Sequence, residues 1–436
     1  HFGSRAFCAE AEHLGLMWTM FKQLMSTDNL QGTCAGGRAP ITGNRGPITG
    51  NRGPITGNRI PCAGGCTGNL GPITGNRGPN VATSPSDGHS KSLGIKWGLS
   101  SMQGWRDRME DAHLAIPDLQ ALVHPADDGW SHTALFGVMD GHGGAQVAKF
   151  CEQHLPQAVA SHPSDNVGGA LAGAFYMMDH LLDLPESFGE LFSYAPARLP
   201  GSVHPAFSCG CTAAVCCVRA DSVTVANAGD SRIVLCRKGR AIDVTEDHKP
   251  DVPSECERIQ KAGGTVTRQN TLFGSISRVN GGLGVARAIG DLKYKQNMQL
   301  PAHHQLVCAT PDVCKFERRS EDEFMLIACD GVWDVMSSQA VVDYVRQYLR
   351  ELREGKMKPS AVADNILHKC VSPDLEKTNG LGGDNMTLLI VVFASRDPRD
   401  NGLRPASRSM PPTSRSMPPK SGCMPRRSRH GLPILL

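Results

Sequence analysis

Residues 136–144 read FGVMDGHGG, an apolar run that ends in an aspartate and a histidine among glycines. A short apolar run that stops at turn residues predicts a buried strand, so Asp140 and His142 stand where the chain leaves the core. Glycine lets the backbone approach a ligand closely, and a carbonyl can then join the side chains around an ion. This stretch predicts a functional site at the end of a strand.

Acidic residues lie at similar junctions in three other parts of the chain. The run 324–330 is an apolar strand that ends at Asp330, and Asp384 comes just before the apolar run 386–393. A dense charged stretch, RDRMEDAH, covers residues 106–113. Each junction alone is compatible with an ordinary surface turn, but their recurrence through the middle of the chain indicates a shared site.

The carboxylates at these junctions match the chemistry of hard divalent cations. Mg²⁺ and Mn²⁺ prefer oxygen ligands and keep several waters, so two ions need only a few carboxylates and carbonyls. The residues that would supply this minimum are Glu110, Asp140, Asp330 and Asp384.

The middle of the chain, residues 94–395, mixes short apolar runs with segments of helical periodicity. It has no regular strand–helix–strand rhythm, which favours a layered α+β domain over a doubly wound parallel sheet. The predicted strands include residues 133–139, 211–218, 222–228, 232–237, 323–329 and 386–393. The predicted helices include residues 146–155, 254–262 and 339–352.

The two ends of the chain differ from this middle in composition. Residues 1–93 carry 8 Lys/Arg against 4 Asp/Glu and residues 396–436 carry 9 against 2, which leaves 28 against 36 for residues 94–395. The heptapeptide GPITGNR recurs in the first segment and SRSMPP in the last, and neither repeat can offset the entropy of folding. We predict a disordered basic leader, one acidic globular domain and a disordered basic tail.

Composition also constrains partners and compartment. The acidic middle disfavours a nucleic-acid-binding core, so no specific nucleic acid is expected, although salt-sensitive binding through the tail is an alternative. The 16 cysteines are scattered rather than laid out as a framework, which predicts a reduced intracellular protein of the cytoplasm or nucleus. The most apolar early stretch, residues 14–21, is too short to cross a membrane. We expect a monomer.

The order of the motifs resembles that of the metal-dependent type 2C protein serine/threonine phosphatases of the PPM family. The likeness covers residues 94–395, and such a series in order is highly specific. The motifs are RDRMED at 106–111, DGHGG at 140–144, GCTA at 210–213, NAGDSR at 227–232, DHKP at 247–250, RAIGD at 287–291, DGVWD at 330–334 and GDN at 383–385. Cys209 and Cys211 replace serines common in the family, and residues 265–277, near the expected flap over the cleft, look longer than in its compact members.

The resemblance implies an α+β fold with a central antiparallel β-sandwich flanked by helices on both faces, a four-layer αββα arrangement. It also implies two Mg²⁺ or Mn²⁺ ions in a cleft at one end. Asp140 would bridge the two ions. The first ion would be completed by Glu110 and the carbonyl of Gly141. The second would be completed by Asp330 and Asp384.

The implied reaction is hydrolysis of phosphoserine and phosphothreonine in phosphoproteins, without a covalent phosphoenzyme. A water held between the ions would lose a proton near neutral pH and attack phosphorus, and Asp111 would orient it. Arg106 would bind phosphate oxygens through its planar fork, and His142 would donate a proton to the departing oxygen. A weaker third ion would involve Asp230 and Asp334.

The same fold could instead serve as a scaffold without activity, a pseudophosphatase. Loss of metal carboxylates would mark such a protein, and none of those expected is missing from the sequence. Metal-dependent release of phosphate from a phosphothreonine peptide would separate the two functions.

Overall fold

The computed structural model describes residues 78–123, 129–194, 204–271 and 274–395. The chain divides into two units, 1–396 and 397–436, and every described residue belongs to the first. The predicted disorder of the tail and of residues 1–77 in the leader concerns segments outside the described residues.

Strands and helices are numbered here in chain order. The strands are β1 (Asn80–Thr83), β2 (Ser86–Ser90), β3 (Ile95–Gly104), β4 (Ala112–Ile116), β5 (Ala134–Met139), β6 (Gly141–His142), β7 (Gly210–Cys211), β8 (Ala213–Val218), β9 (Ser222–Ala228), β10 (Arg232–Arg237), β11 (Arg240–Asp243), β12 (Val266–Thr271), β13 (Gly274–Val279), β14 (Ile289–Gly290), β15 (Asp312–Glu317), β16 (Asp322–Ala328) and β17 (Met386–Phe393). The helices are α1 (Gln146–Ala160), α2 (Val167–Asp183), α3 (Ser187–Ser193), α4 (Pro253–Lys261), α5 (Asp330–Trp333), α6 (Ser338–Arg346), α7 (Leu349–Glu354) and α8 (Pro359–Cys370). Short 3₁₀ turns lie at Leu119–Leu122, Pro205–Phe207, Leu292–Tyr294 and Ala302–His304.

Two antiparallel sheets form the centre of the domain. The first has the order β1-β3-β17-β16-β10-β11, with β2 also paired to β3, and the second has the order β15-β9-β8-β5-β4. A small sheet, β14-β7-β6, lies next to the predicted site, and β12 and β13 form a separate hairpin where the flap was expected.

The central strands are apolar on both faces, which is why they read as continuous hydrophobic runs. In β17, Leu389 and Val391 pack between the two sheets, whereas Leu388 and Ile390 face a cluster that includes residues of α6 to α8. Side chains alternate along a strand, so each strand contributes to two layers of core. Helices α1 to α3 cover the outer face of the second sheet.

The layers are therefore helix, sheet, sheet, helix, and this confirms the predicted α+β sandwich. Within the described residues, no helix is both long and apolar enough to cross a membrane.

Two sequence-based element boundaries are wrong, and two strands were not predicted. The unpredicted strands are β1 and β2, which pair with β3 through their backbones although residues 80–90 are mostly polar and exposed. The helix predicted at 339–352 breaks into α6 and α7 at Tyr348, whose φ of −107° and ψ of 3° are not helical. The strand predicted at 211–218 divides at Thr212, where the chain moves from the small sheet to the second large sheet.

Candidate active site

The bend after β5 is held in place by Thr212, the residue that divides β7 from β8. The Thr212 hydroxyl accepts a hydrogen bond from the Asp140 backbone N–H at 3.1 Å, and the Thr212 N–H donates to the Asp140 carbonyl at 2.9 Å. Asp140 is therefore fixed through its backbone, and its carboxylate is not used to hold the bend.

Glu110 packs directly against this bend. A Cβ atom on Gly141 would lie 2.2 Å from the Glu110 carbonyl oxygen, so only glycine permits the close approach. The Glu110 carboxylate accepts a hydrogen bond from the Gly144 N–H at 3.1 Å, and burial raises the pKa of Glu110. The charged run 106–111 and the glycine-rich bend thus meet at one point.

Asn385 joins the charged run to the start of β17. Its side-chain oxygen accepts from the Glu110 N–H at 2.8 Å, and its amide donates to the carbonyls of Gln103 and Arg108 at 2.8 and 2.9 Å. No role was predicted for Asn385. Its position next to Asp384 in the GDN motif was the feature of the sequence that could have indicated a role at the site.

Asp111 is buried beneath the bend and half satisfied. Its Oδ2 accepts from the Thr387 hydroxyl at 2.7 Å and from the Cys329 thiol at 3.4 Å, whereas Oδ1 has no hydrogen-bond partner among the described residues. Ligand atoms of Asp111, Asp140 and Cys329 all lie within 4.8 Å of one another. Burial raises the pKa of Asp111 to about 7.

Cys329 was not predicted at the site. Burial, together with nearby carboxylates, holds the pKa of its thiol well above the usual range, so the thiol stays protonated and donates to Asp111. A neutral thiol is a poor ligand for any ion, and hard cations select oxygen. The carboxylates are therefore the relevant donors in this cluster.

The predicted metal carboxylates crowd one another electrostatically. Burial raises the pKa of Asp140 well above its usual range, and Asp330, Asp111, Asp384 and Asp230 raise it further, in that order. Burial likewise raises the pKa of Asp330, with Asp230, Asp384 and Asp334 adding to the effect. The fold thus gathers these side chains around Asp140 with too little positive charge to balance them.

Arg106, predicted to grip phosphate, instead contacts one of these acids. Its Nη2 lies 2.5 Å from Asp384 Oδ2. Burial alone would lower the pKa of Arg106, but Asp384, Asp140 and Asp330 raise it. The guanidinium therefore lies at the edge of the carboxylate cluster, where it neutralises part of the charge.

His142 is held by Asp291, a residue to which the sequence analysis gave no role. His142 Nε2 hydrogen-bonds the Asp291 carboxylate, which is almost fully buried. A Cβ atom on Gly210 would lie 2.2 Å from that carboxylate, so glycine makes room for the pair. Burial alone would lower the pKa of His142, but the charge and hydrogen bond of Asp291 outweigh it and raise the pKa.

The residues expected at a third ion, Asp230 and Asp334, flank a lysine. Lys249 Nζ lies 3.4 Å from Asp230 Oδ2 and 3.9 Å from Asp334 Oδ1. Burial raises the pKa of Asp334, Lys249 lowers it, and Asp230 raises it again. The structure therefore brings these carboxylates together, but with a cation of the chain between them.

This donor set fits hard divalent cations. Its carboxylates are clustered and short of positive charge, and the Oδ1 atom of Asp111 is a buried acceptor that still lacks a donor. Gly141 packs against the backbone of Glu110, so these two predicted ligands are neighbours in space. Carboxylates and carbonyls of this kind suit Mg²⁺ or Mn²⁺.

Comparisons with known proteins match this domain to one protein family. The protein phosphatase 2C family model matches residues 95–378. The chain is 39% identical over 352 residues to probable protein phosphatase 2C 60 of Arabidopsis thaliana, covering 73% of this chain and 91% of that protein. It is 40% identical over 316 residues to protein phosphatase 2C homolog 2 of Schizosaccharomyces pombe, covering 70% and 76%.

A solved structure supports the fold independently. The serine-threonine phosphatase 2C from Toxoplasma gondii is similar with a TM-score of 0.55 at 21% identity, covering 72% of this chain and 99% of that chain. The resemblance in the motifs is confirmed: the chain belongs to the protein phosphatase 2C family and is a protein phosphatase.

Proposed function

We propose that the chain hydrolyses phosphoserine and phosphothreonine in phosphoproteins, using two Mg²⁺ or Mn²⁺ ions per subunit and no covalent phosphoenzyme. The observation that carries the proposal is the cluster of carboxylates around the buried Asp140, where burial first and the neighbouring acids second raise the pKa of that group well above its usual range. Bound divalent ions would supply the missing positive charge and an activated water for attack on phosphorus.

In this proposal the carboxylates divide into two sets around Asp140. Glu110 and the Gly141 carbonyl would hold one ion, a division supported by the close approach of the Glu110 backbone to Gly141. Asp330 and Asp384 would hold the other. This is supported by their proximity, since burial raises the pKa of Asp330 and Asp384 is among the acids that raise it further. The metal-facing atoms are oxygens throughout.

Asp111 holds the attacking water by accepting its hydrogen at Oδ1. This role is supported by the burial of that atom and by the two donors that pin the other carboxylate oxygen. Since Thr387 and Cys329 satisfy Oδ2, the carboxylate cannot rotate without losing both hydrogen bonds. Asp111 is thus oriented before any substrate binds.

Arg106 and His142 act on the substrate. Arg106, which contacts Asp384 in this structure, would bind the phosphate oxygens, since a planar guanidinium suits paired oxygens. His142 donates its proton to the departing serine or threonine oxygen, and Asp291 orients the ring for that transfer. The proposal also includes a weaker third ion at Asp230 and Asp334.

We also propose that the protein acts on phosphoproteins as a monomer in the cytoplasm or nucleus. Its leader and tail lie outside the catalytic domain.

Release of phosphate from a phosphothreonine peptide tests the proposal. The purified full chain is expected to be active with Mn²⁺ or Mg²⁺ and inactive in EDTA, with activity restored when the ion is returned. Asp343→Asn, at an exposed helical carboxylate, is the control for surface charge. A folded protein that releases no phosphate with either ion would favour the scaffold function instead.

A further inference from the structure

Lys249 lies in a loop that the fold holds rigidly beside Asp230. The neighbouring His248 donates its backbone N–H to the Gly229 carbonyl at 3.0 Å, and the Gly229 N–H donates to His248 Nδ1 at 3.2 Å. Because Nδ1 accepts, Nε2 carries the proton and donates to Asp312 at 3.0 Å. The residue before Lys249 is therefore tied to the residue before Asp230.

A second contact holds the same loop one residue earlier, at Asp247. Arg232 donates from Nε and Nη2 to the two oxygens of Asp247, at 2.9 and 2.8 Å. Paired contacts of this type are geometrically specific. These two anchors lie immediately before Lys249, and its own backbone N–H donates to the Asp247 carbonyl at 3.1 Å, so the fold places the lysine backbone beside Asp230.

The Lys249 ammonium lies between two carboxylates of the third position. Its Nζ is 3.4 Å from Asp230 and 3.9 Å from Asp334, and the exposed fractions of those two carboxylate side chains are 8% and 55%. Asp330, the acid at the start of α5, belongs to the same electrostatic group. The lysine ammonium therefore supplies a positive charge at the position where a third ion would bind.

We propose that the Lys249 ammonium is the resident counter-ion of the third position, so that a third divalent ion binds there only by displacing it. This inference rests on the proposed two-ion site and adds a reason for the weakness of the third ion. A dication gains more from Asp230 and Asp334 than an ammonium does, but it must first break an existing ion pair. Occupancy of the third position therefore depends on exchange of the divalent ion with the lysine ammonium, and not on binding to an empty site.

The site around Asp140 differs from the third position in the ion pairs that its carboxylates already form. Asp140 forms no ion pair with any residue that the structure describes, whereas Asp230 and Asp334 both contact Lys249. An ion at Asp140 therefore meets a bridging carboxylate that has no ion pair, although Asp384 beside it is paired with Arg106, whereas an ion at Asp230 meets two carboxylates that both contact the same lysine. The expected order of affinity follows from this difference in existing contacts.

Manganese binding to the metal-stripped full chain tests the role of Lys249. Free Mn²⁺ is followed by its electron paramagnetic resonance signal in solution, which gives the number of bound ions and their dissociation constants. Lys249→Met is expected to tighten the third ion about fivefold, the factor for an ion pair worth roughly 1 kcal/mol, with little change in the first two. Lys249→Gln provides a second neutral variant, and circular dichroism checks that both are folded.

Three further variants sharpen the result. Lys249→Arg keeps the charge and should keep the third ion weak. Lys238→Met removes an exposed lysine paired with Glu321 at 3.1 Å and should change nothing. Asp230→Asn combined with Lys249→Met should abolish the gain.

An unchanged third constant in both neutral variants, with two tighter ions bound normally, would overturn the role of Lys249 alone. An arginine variant that binds the third ion as tightly as the methionine variant would also overturn it. Wild-type protein that binds fewer than two ions would overturn the proposed two-ion site and this inference together.

Discussion

Two buried charged clusters in this domain have opposite electrostatic character. Glu255, in α4, is 3% exposed and accepts from Arg287 at 2.7 Å and from Arg258 at 2.8 Å. Burial alone would raise the pKa of Glu255, but these two arginines lower it. Around Asp140 the neighbours are mainly other carboxylates, and the pKa is raised.

The comparison separates a structural cluster from a binding site. The charge of a buried carboxylate with cationic partners is already balanced, and removing that carboxylate leaves its partners' charges unbalanced. A buried carboxylate among other carboxylates is incomplete until a cation arrives, and such perturbed groups concentrate at functional sites. The same residue types thus serve folding in one place and chemistry in another, and the balance of charge distinguishes them.

The largest expected effect is the loss of activity in Asp140→Asn. We expect kcat/KM to fall by about a thousandfold or more, which corresponds to roughly 4 kcal/mol of transition-state stabilisation. In EDTA the variant should unfold at the same temperature as wild type or higher, because one buried repulsive charge is gone. Phosphopeptide hydrolysis and thermal unfolding measure the two quantities, and wild-type kcat/KM in the variant would refute the role of Asp140.

The complementary change is Glu255→Gln in the balanced cluster. Removing the carboxylate that two mostly buried arginines share should lower the free energy of unfolding by about 3 kcal/mol, although Arg287 keeps its contact with Asp312, and activity per folded molecule should be retained. Glu257→Gln, on the same helix but exposed and paired with Lys261, is the matched control and should leave stability unchanged. Urea unfolding measures both. Equal stabilities for the two variants would contradict the structural role of Glu255.

The pair formed by His142 and Asp291 can be tested through the leaving group. His142→Ala should slow phosphopeptide hydrolysis about a hundredfold and aryl phosphate hydrolysis much less, because an aryl leaving oxygen scarcely needs a proton. Asp291→Asn should give the same asymmetry at smaller amplitude, since it acts through the ring. Equal losses on both substrates would remove His142 from the role of proton donor.

The pH dependence of stability should reverse when metal binds. Burial raises the pKa of Asp111 to about 7 in the folded chain, against an ordinary value near 4, so the folded state binds more protons between these pH values. The contribution of Asp111 to stability without metal therefore decreases as pH rises from about 4 to 7. Bound ions hold the carboxylates ionised, so the stability that Mn²⁺ adds should grow with pH over the same range.

Melting temperatures with EDTA and with saturating Mn²⁺ across this range give the comparison. A shift of about 2–4 °C per kcal/mol is expected for a domain of this size. An increment from Mn²⁺ that does not change with pH would contradict proton release from the site.

Sequence patterns predicted the layered fold well where burial dominates. The strands predicted at 222–228, 232–237 and 386–393 match β9, β10 and β17 residue for residue, because the interiors of these strands are buried on both faces and rich in apolar residues. The edge strands β1 and β2 were missed, since backbone pairing with β3 holds them and their side chains carry little hydrophobic signal.

The site was less predictable than the fold because its contacts join distant parts of the chain. Arg106 and Asp384 are 278 positions apart, and nothing local to either indicates their contact. The roles of Lys249 and Asp291 likewise depend on which loops the fold brings together. The motifs that contain them marked these residues, but only the structure gives their partners.

Anomalous scattering from a crystal soaked in Mn²⁺ tests the central claim most directly. Two strong peaks are expected on either side of the Asp140 carboxylate, one also reached by Glu110 and the other by Asp330 and Asp384. Carboxylates that point away from one another, with no peak among them, would contradict it.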